Sequence, residues 1–241
     1  MHPEYAVRES SRAKHVRFTV SISDGLVVVI PKGFDRRRIP GLIEGKLGWI
    51  ERAMKRVEAL RAAWPDASAR PESIELPAIG RTWRIDWREA VERKVKVTEA
   101  GPLDLRVSGP IGNPDAWRQA LRQWLIGQGR KHLIPWAEEL ARELDIRIGR
   151  VSIRCQKTRW GSYTGRKGQA ATVSLNAQLL FLPEHLVRYV LIHELCHAVH
   201  PDHSHRFWEL VESHESGTSR LRQELRAAWR LVPGWLSTAF A

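Results

Sequence analysis

The sequence is poor in cysteine, and this absence removes several classes of protein. Two cysteines in 241 residues, Cys155 and Cys196, cannot form the disulfide framework of a small secreted domain. Because the sequence has no C-x-x-C pair, a cysteine-based zinc site is unsupported. We expect Cys196 to be a buried structural thiol, and the cysteine usage favours a reducing cytoplasm as the location.

Segments that would direct the chain to a membrane or out of the cell are also missing. The amino terminus, MHPEYAVRESSRAKHVRF, has no apolar stretch of the kind found in signal peptides. The longest apolar runs, such as Gly25 to Pro31, are far shorter than the roughly 20 residues of a membrane-spanning helix. We therefore expect a soluble, intracellular protein with no membrane partner.

Positive charge is in excess, with a net charge of +12 and no acidic or basic tail. Residues 142–167 are the most biased segment, with eight basic and two acidic residues. Such a segment permits weak contact with nucleic acid or nucleotides, although we favour the simpler explanation of a solvated basic face. The chain has no glycine-rich phosphate loop and no carboxylate cluster for Mg²⁺, which argues against a nucleotide-hydrolysing site.

Residues 1–114 are predicted to form a β-rich region with one helix. Two β-rich runs between His15 and Pro31 flank Ser23-Asp24-Gly25, a pattern typical of a hairpin. Apolar residues recur at helical spacing from Phe34 to Arg61, and the segment from Trp64 to Ser73 is predicted to be a linker. Four strand-like pieces follow: IELPAIG, TWRIDW, KVKVTE and LDLRVS.

Residues 115–241 are predicted to form a second region, which we expect to work with the first as one functional unit. Asp115 can cap a long amphipathic helix, or pair of helices, and Pro183 opens a later helix at a first-turn position. In order, the predicted elements are a helical segment Ala116–Leu144, strands Val151–Cys155 and Ala171–Leu175, the helix after Pro183, and helices Ser204–Ser213 and Thr218–Leu231.

The most informative stretch is YVLIHELCHAVHPDHSHRFW, which runs from Tyr189 to Trp208. It contains the pattern H-E-x-x-H, formed by His193, Glu194 and His197. On an α-helix, positions i and i+4 lie about 40° apart around the axis and about 6 Å apart along it. His193 and His197 can therefore bind one metal ion from the same face, whereas Glu194 points away from that line, as a base acting on metal-bound water should.

A third histidine is needed, because a catalytic zinc typically has three protein ligands and one open position. His200 lies about 10 Å from His193 along the helix axis, so the two cannot share an ion while the helix continues. A reversal of the chain is predicted at Pro201-Asp202. His203 is the first histidine after that reversal and is the predicted third ligand.

Glu194 distinguishes a catalytic site from a structural one. Zinc lowers the pKa of its bound water to about 7, and Glu194 would take the proton during attack and return it to the leaving group. A structural zinc site needs a fourth side chain and has no use for Glu194. Because His200, His205 and His214 are nearby, that alternative stays open.

Further short motifs accompany the histidine pattern. They are RWGS (Arg159 to Ser162), Leu175-Asn176, Pro183, Tyr189-Val190, HELCH and HSHRFW. Together they resemble the signature of the YgjP-like metal-dependent hydrolases, a family of zincin metallopeptidases with the SprT-like proteases as distant relatives. The resemblance covers nearly the whole chain, with one departure: the family usually has a cysteine after RWGS, where this chain has Tyr163.

The resemblance implies an α+β fold whose zincin-like core packs the HExxH helix on a small mixed sheet, preceded by a β-rich amino-terminal region. It also implies a sheet edge along which a peptide could bind. It assigns the zinc ligands to His193, His197 and His203 and the base to Glu194. For Arg159 two roles stay open: stabilising an oxyanion, carboxylate or phosphate, or holding its loop to the core.

We therefore predict a zinc-dependent metallopeptidase that hydrolyses peptide bonds of a peptide or protein substrate. A metal-dependent nucleotide triphosphate phosphohydrolase is the first alternative, because the basic bias of residues 142–167 would suit a triphosphate. A DNA-associated, SprT-like protease is the second alternative, and it would bind with an affinity that falls steeply with salt.

Overall fold

The computed structural model of the chain describes residues 3–11, 13–21, 25–63, 69–165 and 171–236. These ranges contain six α-helices and ten strands, and the strands form three sheets. The predicted α+β class is thereby confirmed. The chain divides into two compact units, residues 1–69 with 233–241 and residues 70–232. The boundary that we expected at residue 114 concerns function and stays a prediction.

The first unit is built on a three-stranded sheet of strands β1 (Tyr5–Ser10), β2 (Arg17–Ser21) and β3 (Gly25–Pro31). Strands β2 and β3 pair antiparallel, which confirms the predicted hairpin pairing; residues 22–24 of its turn lie outside the described residues. Strand β1 was not predicted and pairs parallel to β3. Its mostly exposed residues carry no clear alternation, so the sequence pattern gave no signal for it.

The single helix predicted from Phe34 to Arg61 is interrupted. A 3-10 turn at Arg36–Arg38 precedes helices α1 (Ile39–Glu44) and α2 (Leu47–Ala63). After α1 the N–H of Lys46 bonds to the carbonyl of Ile43 rather than one residue further back, which ends the regular helix beside Gly45, a weak helix former. Residues 64–68 of the predicted linker lie outside the described residues.

The second unit begins with a four-stranded sheet to which each of the four predicted strand pieces contributes a strand, although the piece IELPAIG is extended only to Leu76 and then forms a 3-10 turn at Pro77–Ile79. Its strands are β4 (Ser73–Leu76), β5 (Arg81–Glu89), β6 (Lys96–Gly101) and β7 (Asp104–Gly109). They lie in the order β4-β5-β7-β6. Alternate residues of β4 and β7 are buried, among them Ile74, Leu76, Leu105 and Val107, so one face of this sheet lies on the core.

A long helix, α3 (Pro114–Glu143), follows and includes Pro135 within it. The predicted cap was placed too late in the chain: Asn113, and not Asp115, is the N-cap. The side-chain oxygen of Asn113 accepts from the N–H groups of Asp115 and Ala116 at 3.0 and 3.3 Å. Asp115 lies in the first turn, where its charge favours the helix dipole.

The elements around the histidine motif complete the unit. Strands β8 (Arg150–Arg154), β9 (Gly161–Thr164) and β10 (Thr172–Asn176) form a small mixed sheet in the order β8-β10-β9. Strand β9 was not predicted. The helices are α4 (Glu184–Cys196), α5 (His205–His214) and α6 (Thr218–Ala227), which continues as a 3-10 turn to Leu231. In the described ranges, none of the helices combines the length and apolarity that crossing a membrane requires.

Candidate metal centre

Helix α4 carries the H-E-x-x-H pattern and is enclosed on most sides. Its buried residues are Leu186, Val187, Tyr189, Val190, Leu191, Ile192, Glu194, Leu195 and Cys196. Pro183 is the N-cap, one position before the predicted first turn. The apolar sequence Tyr189-Val190-Leu191-Ile192 anchors the helix in the core, so the polar side chains that follow it are held on a rigid element.

The structure brings His193, His197 and His203 together. One ring nitrogen from each lies within 4.8 Å of the others, and the Nε2 atoms of His193 and His203 are 3.2 Å apart. Two nitrogens that each lie about 2.1 Å from a tetrahedral zinc are about 3.4 Å apart. The spacing of this pair therefore fits a shared metal ion.

The chain reverses earlier than predicted. Helix α4 ends at Cys196 and His197 is its C-cap, because the N–H groups of Val199 and His200 both bond to the carbonyl of Cys196. The turn therefore begins well before Pro201. Asp202 has a different role, since its side chain accepts from the N–H of Ser204 at 3.2 Å, just before α5.

The same turn fixes the ring of His197. Its Nδ1 lies 3.2 Å from the carbonyl oxygen of His200, and a carbonyl can only accept, so Nδ1 carries the proton and Nε2 keeps its lone pair. His200 thus contributes its backbone to the arrangement. Its side chain does not belong to the histidine group, and the ring of His205 pairs instead with Glu209 at 3.2 Å.

Burial keeps the imidazoles in the state that a metal requires. Burial first, and then the charges of His197 and His203, lower the pKa of His193 to about 3. Burial also lowers the pKa of His197. Both rings are therefore neutral near pH 7, as metal ligands must be. Within the described residues, the group contains no fourth His, Cys, Asp or Glu that would close it as a structural site.

Aromatic rings hold the histidines from the side of α5. Phe207 is completely buried and stacks on His197 with ring centroids 4.4 Å apart. It also meets the His193 ring edge-on at 5.0 Å, and the Nδ1 of His193 has no hydrogen-bond partner among the described residues. Trp208 stacks on the exposed His203 at 5.5 Å. Both aromatic residues therefore pack against the three histidines.

Glu194 lies beside the histidines and is only 7% exposed. Burial raises the pKa of Glu194 to about 7, and the positive charge of Arg159 opposes this shift. A carboxyl group with such a pKa is suited to accept and donate a proton near neutral pH. Arg159 itself is exposed.

Gly161 was overlooked in the sequence, although it lies within the RWGS motif. A Cβ atom built on Gly161 would lie 2.6 Å from Oε1 and 2.6 Å from Cγ of Glu194. Strand β9 therefore runs directly against the carboxylate, and only glycine leaves the space. The signal that could have found β9 is the β-favouring sequence Ser162-Tyr163-Thr164; the contact with Glu194 has no sequence signature.

Asn176 is a second overlooked residue, although it was noted as part of a motif. It is completely buried at the end of β10. Its amide nitrogen donates to the carbonyls of Gln156 and Arg159 at 2.9 and 2.8 Å, and its oxygen accepts from the N–H of Gln178 at 3.1 Å. One side chain thus holds the loop that presents Arg159 and Gly161 to the site.

Three other side chains considered in the sequence have structural surroundings. Cys196 is buried, and burial raises its pKa to about 12, which is typical of an inert thiol. Tyr189 is 2% exposed, with its ring 6.2 Å from that of His193. Tyr163, at the position of the usual cysteine, lies on β9 with its ring 6.2 Å from that of His197.

His193, His203 and Glu194 open onto a cleft of about 610 Å³. The other lining residues are Arg159, Trp160, Gly161, Tyr189, Val190, Trp208, Arg222, Leu225, Arg226 and Trp229. Of the described basic residues between 142 and 165, Arg159 alone lines this cleft; Arg166 and Lys167 lie outside the described residues. The cleft has the size of a small-ligand or short-peptide site.

Comparison with known protein families gives a match that covers most of the chain. Residues 14–228 match the model of a family described as "YgjP-like, metallopeptidase domain". Comparison with curated proteins and with solved structures gives no match. The matched range includes every residue of the cleft apart from Trp229, and it covers most of the chain.

Proposed function

Since the chain belongs to the YgjP-like metallopeptidase family, we propose that it is a zinc-dependent peptidase. Membership of the family implies a metal-dependent hydrolase; zinc, the peptide bond and the individual residues are our proposal. The observation that carries it is the convergence of three imidazoles, two of which line the same cleft as one buried carboxyl group.

His193, His197 and His203 are proposed to hold the zinc. Three neutral nitrogen ligands are typical of catalytic zinc sites. Zinc, when bound, supplies a Lewis acid and lowers the pKa of water to about 7. The donor set supports zinc over Mg²⁺ or Ca²⁺, which prefer oxygen ligands.

Glu194 is proposed to move the proton during hydrolysis. Its carboxylate would accept a proton from the attacking water and return it to the leaving amine. The contact with Gly161 holds the carboxyl group in place, and a pKa of about 7 suits both transfers. Arg159 is proposed to stabilise negative charge at the mouth of the cleft, a role that its effect on the pKa of Glu194 supports.

A zincin-like core is part of the same proposal. In support, α4 lies next to β9, the edge strand of the small mixed sheet. Among the described strands, β9 pairs only with β10, so its other edge is available to an extended peptide. A cytoplasmic location stays a prediction from the cysteine usage.

A nucleotide phosphohydrolase is the second candidate, because three arginines line the cleft. Against it, Glu194 is the only carboxylate among the described lining residues, and Mg²⁺-nucleotide sites normally use carboxylates to bind the metal. No observation on the described residues favours the DNA-associated protease over the general peptidase.

The proposal is tested by assaying zinc-loaded protein against a peptide library and a panel of nucleoside triphosphates. We expect peptide cleavage that is lost on treatment with a chelator and restored by zinc. Nucleotide hydrolysis without peptide cleavage would instead support the second candidate, and would refute the peptidase.

A further inference from the structure

One face of α6 and the turn after it lies in the cleft. Arg222, Leu225, Arg226 and Trp229 all line it, at spacings of three, four and seven residues that place them on one side of a helix. This stripe faces the same cleft as His193 and Glu194. The helix therefore presents two guanidinium groups and two apolar side chains to whatever binds beside the metal site.

The charges on this stripe are not neutralised by neighbouring carboxylates. Among the described residues, Arg159, Arg222 and Arg226 form no ion pair with Asp or Glu side chains. Arg222 contacts the face of Trp208 instead, at 4.2 Å. Three guanidinium groups thus share the cleft with a single carboxyl group, Glu194.

Two arginines of the neighbouring surface that lie outside the cleft are paired. On the same helix, Arg220 is 3.4 Å from Glu224, and on α4, Arg188 is 2.9 Å from Glu215. Glu224 and Glu215 therefore have partners outside the cleft. The cleft itself is lined by three arginines and one carboxyl group, and a cleft lined mainly by one sign of charge concentrates ligands of the other sign.

We propose that Arg222 and Arg226, with Arg159, form an anion subsite that binds a carboxylate of the substrate near the scissile bond. This inference rests on the proposed peptidase function and names its substrate class, acidic peptides. The carboxylate belongs to an Asp or Glu side chain or to the free carboxyl terminus of the peptide. Leu225 and Trp229 would contact the apolar part of the same substrate segment.

The experiment compares matched peptides that differ only in this charge. One pair replaces Gln by Glu next to the cleaved bond, and a second pair has an amidated or a free carboxyl terminus. We expect kcat/KM to be about tenfold higher for one acidic member, as electrostatic complementarity at a partly solvated site allows. The pair that shows the preference tells whether the carboxylate belongs to an acidic side chain or to the carboxyl terminus. The preference should weaken with added salt, because salt screens exposed charges.

Variants of α6 assign the preference to the proposed residues. Arg226→Gln should reduce the ratio of acidic to neutral kcat/KM towards one, and Arg226→Glu should invert it in favour of a Lys-containing peptide. Arg220→Gln is the matched control, since Arg220 lies on the same helix but pairs with Glu224 outside the cleft; it should keep the ratio. Zinc content and circular dichroism confirm that each variant is folded.

The possible failures are distinguishable. Peptides cleaved at equal rates with and without the carboxylate would overturn the subsite and leave the peptidase intact. If Arg226→Glu lowers kcat/KM by the same factor for acidic, neutral and basic peptides, the change is a structural effect. That result would also overturn the anion subsite. Hydrolysis of nucleoside triphosphates alone would refute both the peptidase and the acidic-peptide subsite.

Discussion

Two of the helices that line the cleft, α4 and α6, differ in whether they bury their polar groups. Helix α4 buries Glu194 and most of His193, and burial moves their pKa values to about 7 and about 3. Helix α6 leaves Arg222 and Arg226 exposed to solvent. Chemistry needs groups whose protonation is set by desolvation, whereas selection among substrates can use solvated charges. Substitutions on α4 should therefore abolish the reaction, and substitutions on α6 should change its preference or have little effect.

The largest effect is expected from Glu194→Gln. This change removes the proton acceptor but no proposed metal ligand, so peptide cleavage should fall by about two to four orders of magnitude. Zinc content should stay at one ion per chain, measured by elemental analysis. If the Glu194→Gln variant cleaves peptides at the wild-type rate, Glu194 is not the general base.

Loss of a proposed ligand should act on the metal instead. His203→Ala should weaken zinc affinity by more than about 100-fold, beyond the loss typical of an outer hydrogen-bond partner, in a competition titration with a chromogenic chelator. His200→Ala and His205→Ala are the controls, because neither side chain belongs to the histidine group. The assignment is wrong if His200→Ala loses zinc while His203→Ala retains it.

Gly161→Ala tests how closely strand β9 holds the base. The added methyl group would meet the Glu194 carboxyl at 2.6 Å, and a displacement of about 1 Å costs about 100-fold in rate. Zinc affinity should change little, which separates this variant from the ligand variants. Gly127→Ala on α3 is the control, because nothing lies within 4 Å of the position that its methyl group would take; it should keep the rate and gain up to about 1 kcal/mol of stability.

The smallest effect is expected on the outer side of α6. Arg220 is exposed, Glu224 is partly exposed, and the two are 3.4 Å apart; solvent-exposed pairs of this kind contribute less than about 1 kcal/mol. Arg220→Gln should therefore lower the free energy of unfolding by less than this amount in urea denaturation, with unchanged peptide cleavage. A large loss of peptide cleavage in this variant would contradict the expectation that only substitutions on α4 abolish the reaction.

The sequence predicted the chemical groups better than it predicted their support. The spacing of His193, Glu194 and His197 is a local consequence of the helix repeat, so the pattern alone indicated their arrangement. His203 followed from the need for a reversal, although the reversal begins at His197 and not at Pro201. The family resemblance is confirmed by the match over residues 14–228.

The contacts that support these groups could not be predicted from local sequence spacing. Gly161 meets Glu194 from a distant part of the chain, and Asn176 bonds to carbonyls 17 and 20 residues away. Such contacts depend on the pairing of β9 with β10, which short strands do not specify by periodicity. The same limit applies to β1, and the break between α1 and α2 depended on hydrogen bonding around Gly45.

The central claim, that one zinc held by three histidines drives peptide hydrolysis, is tested most directly by a zinc titration. Protein stripped with a chelator is titrated with zinc while the cleavage of a substrate peptide from the library is followed. We expect no cleavage at the start, a linear rise, and a plateau at one zinc per chain. Full cleavage by the metal-free protein, or a rise that does not follow zinc occupancy, would contradict the account.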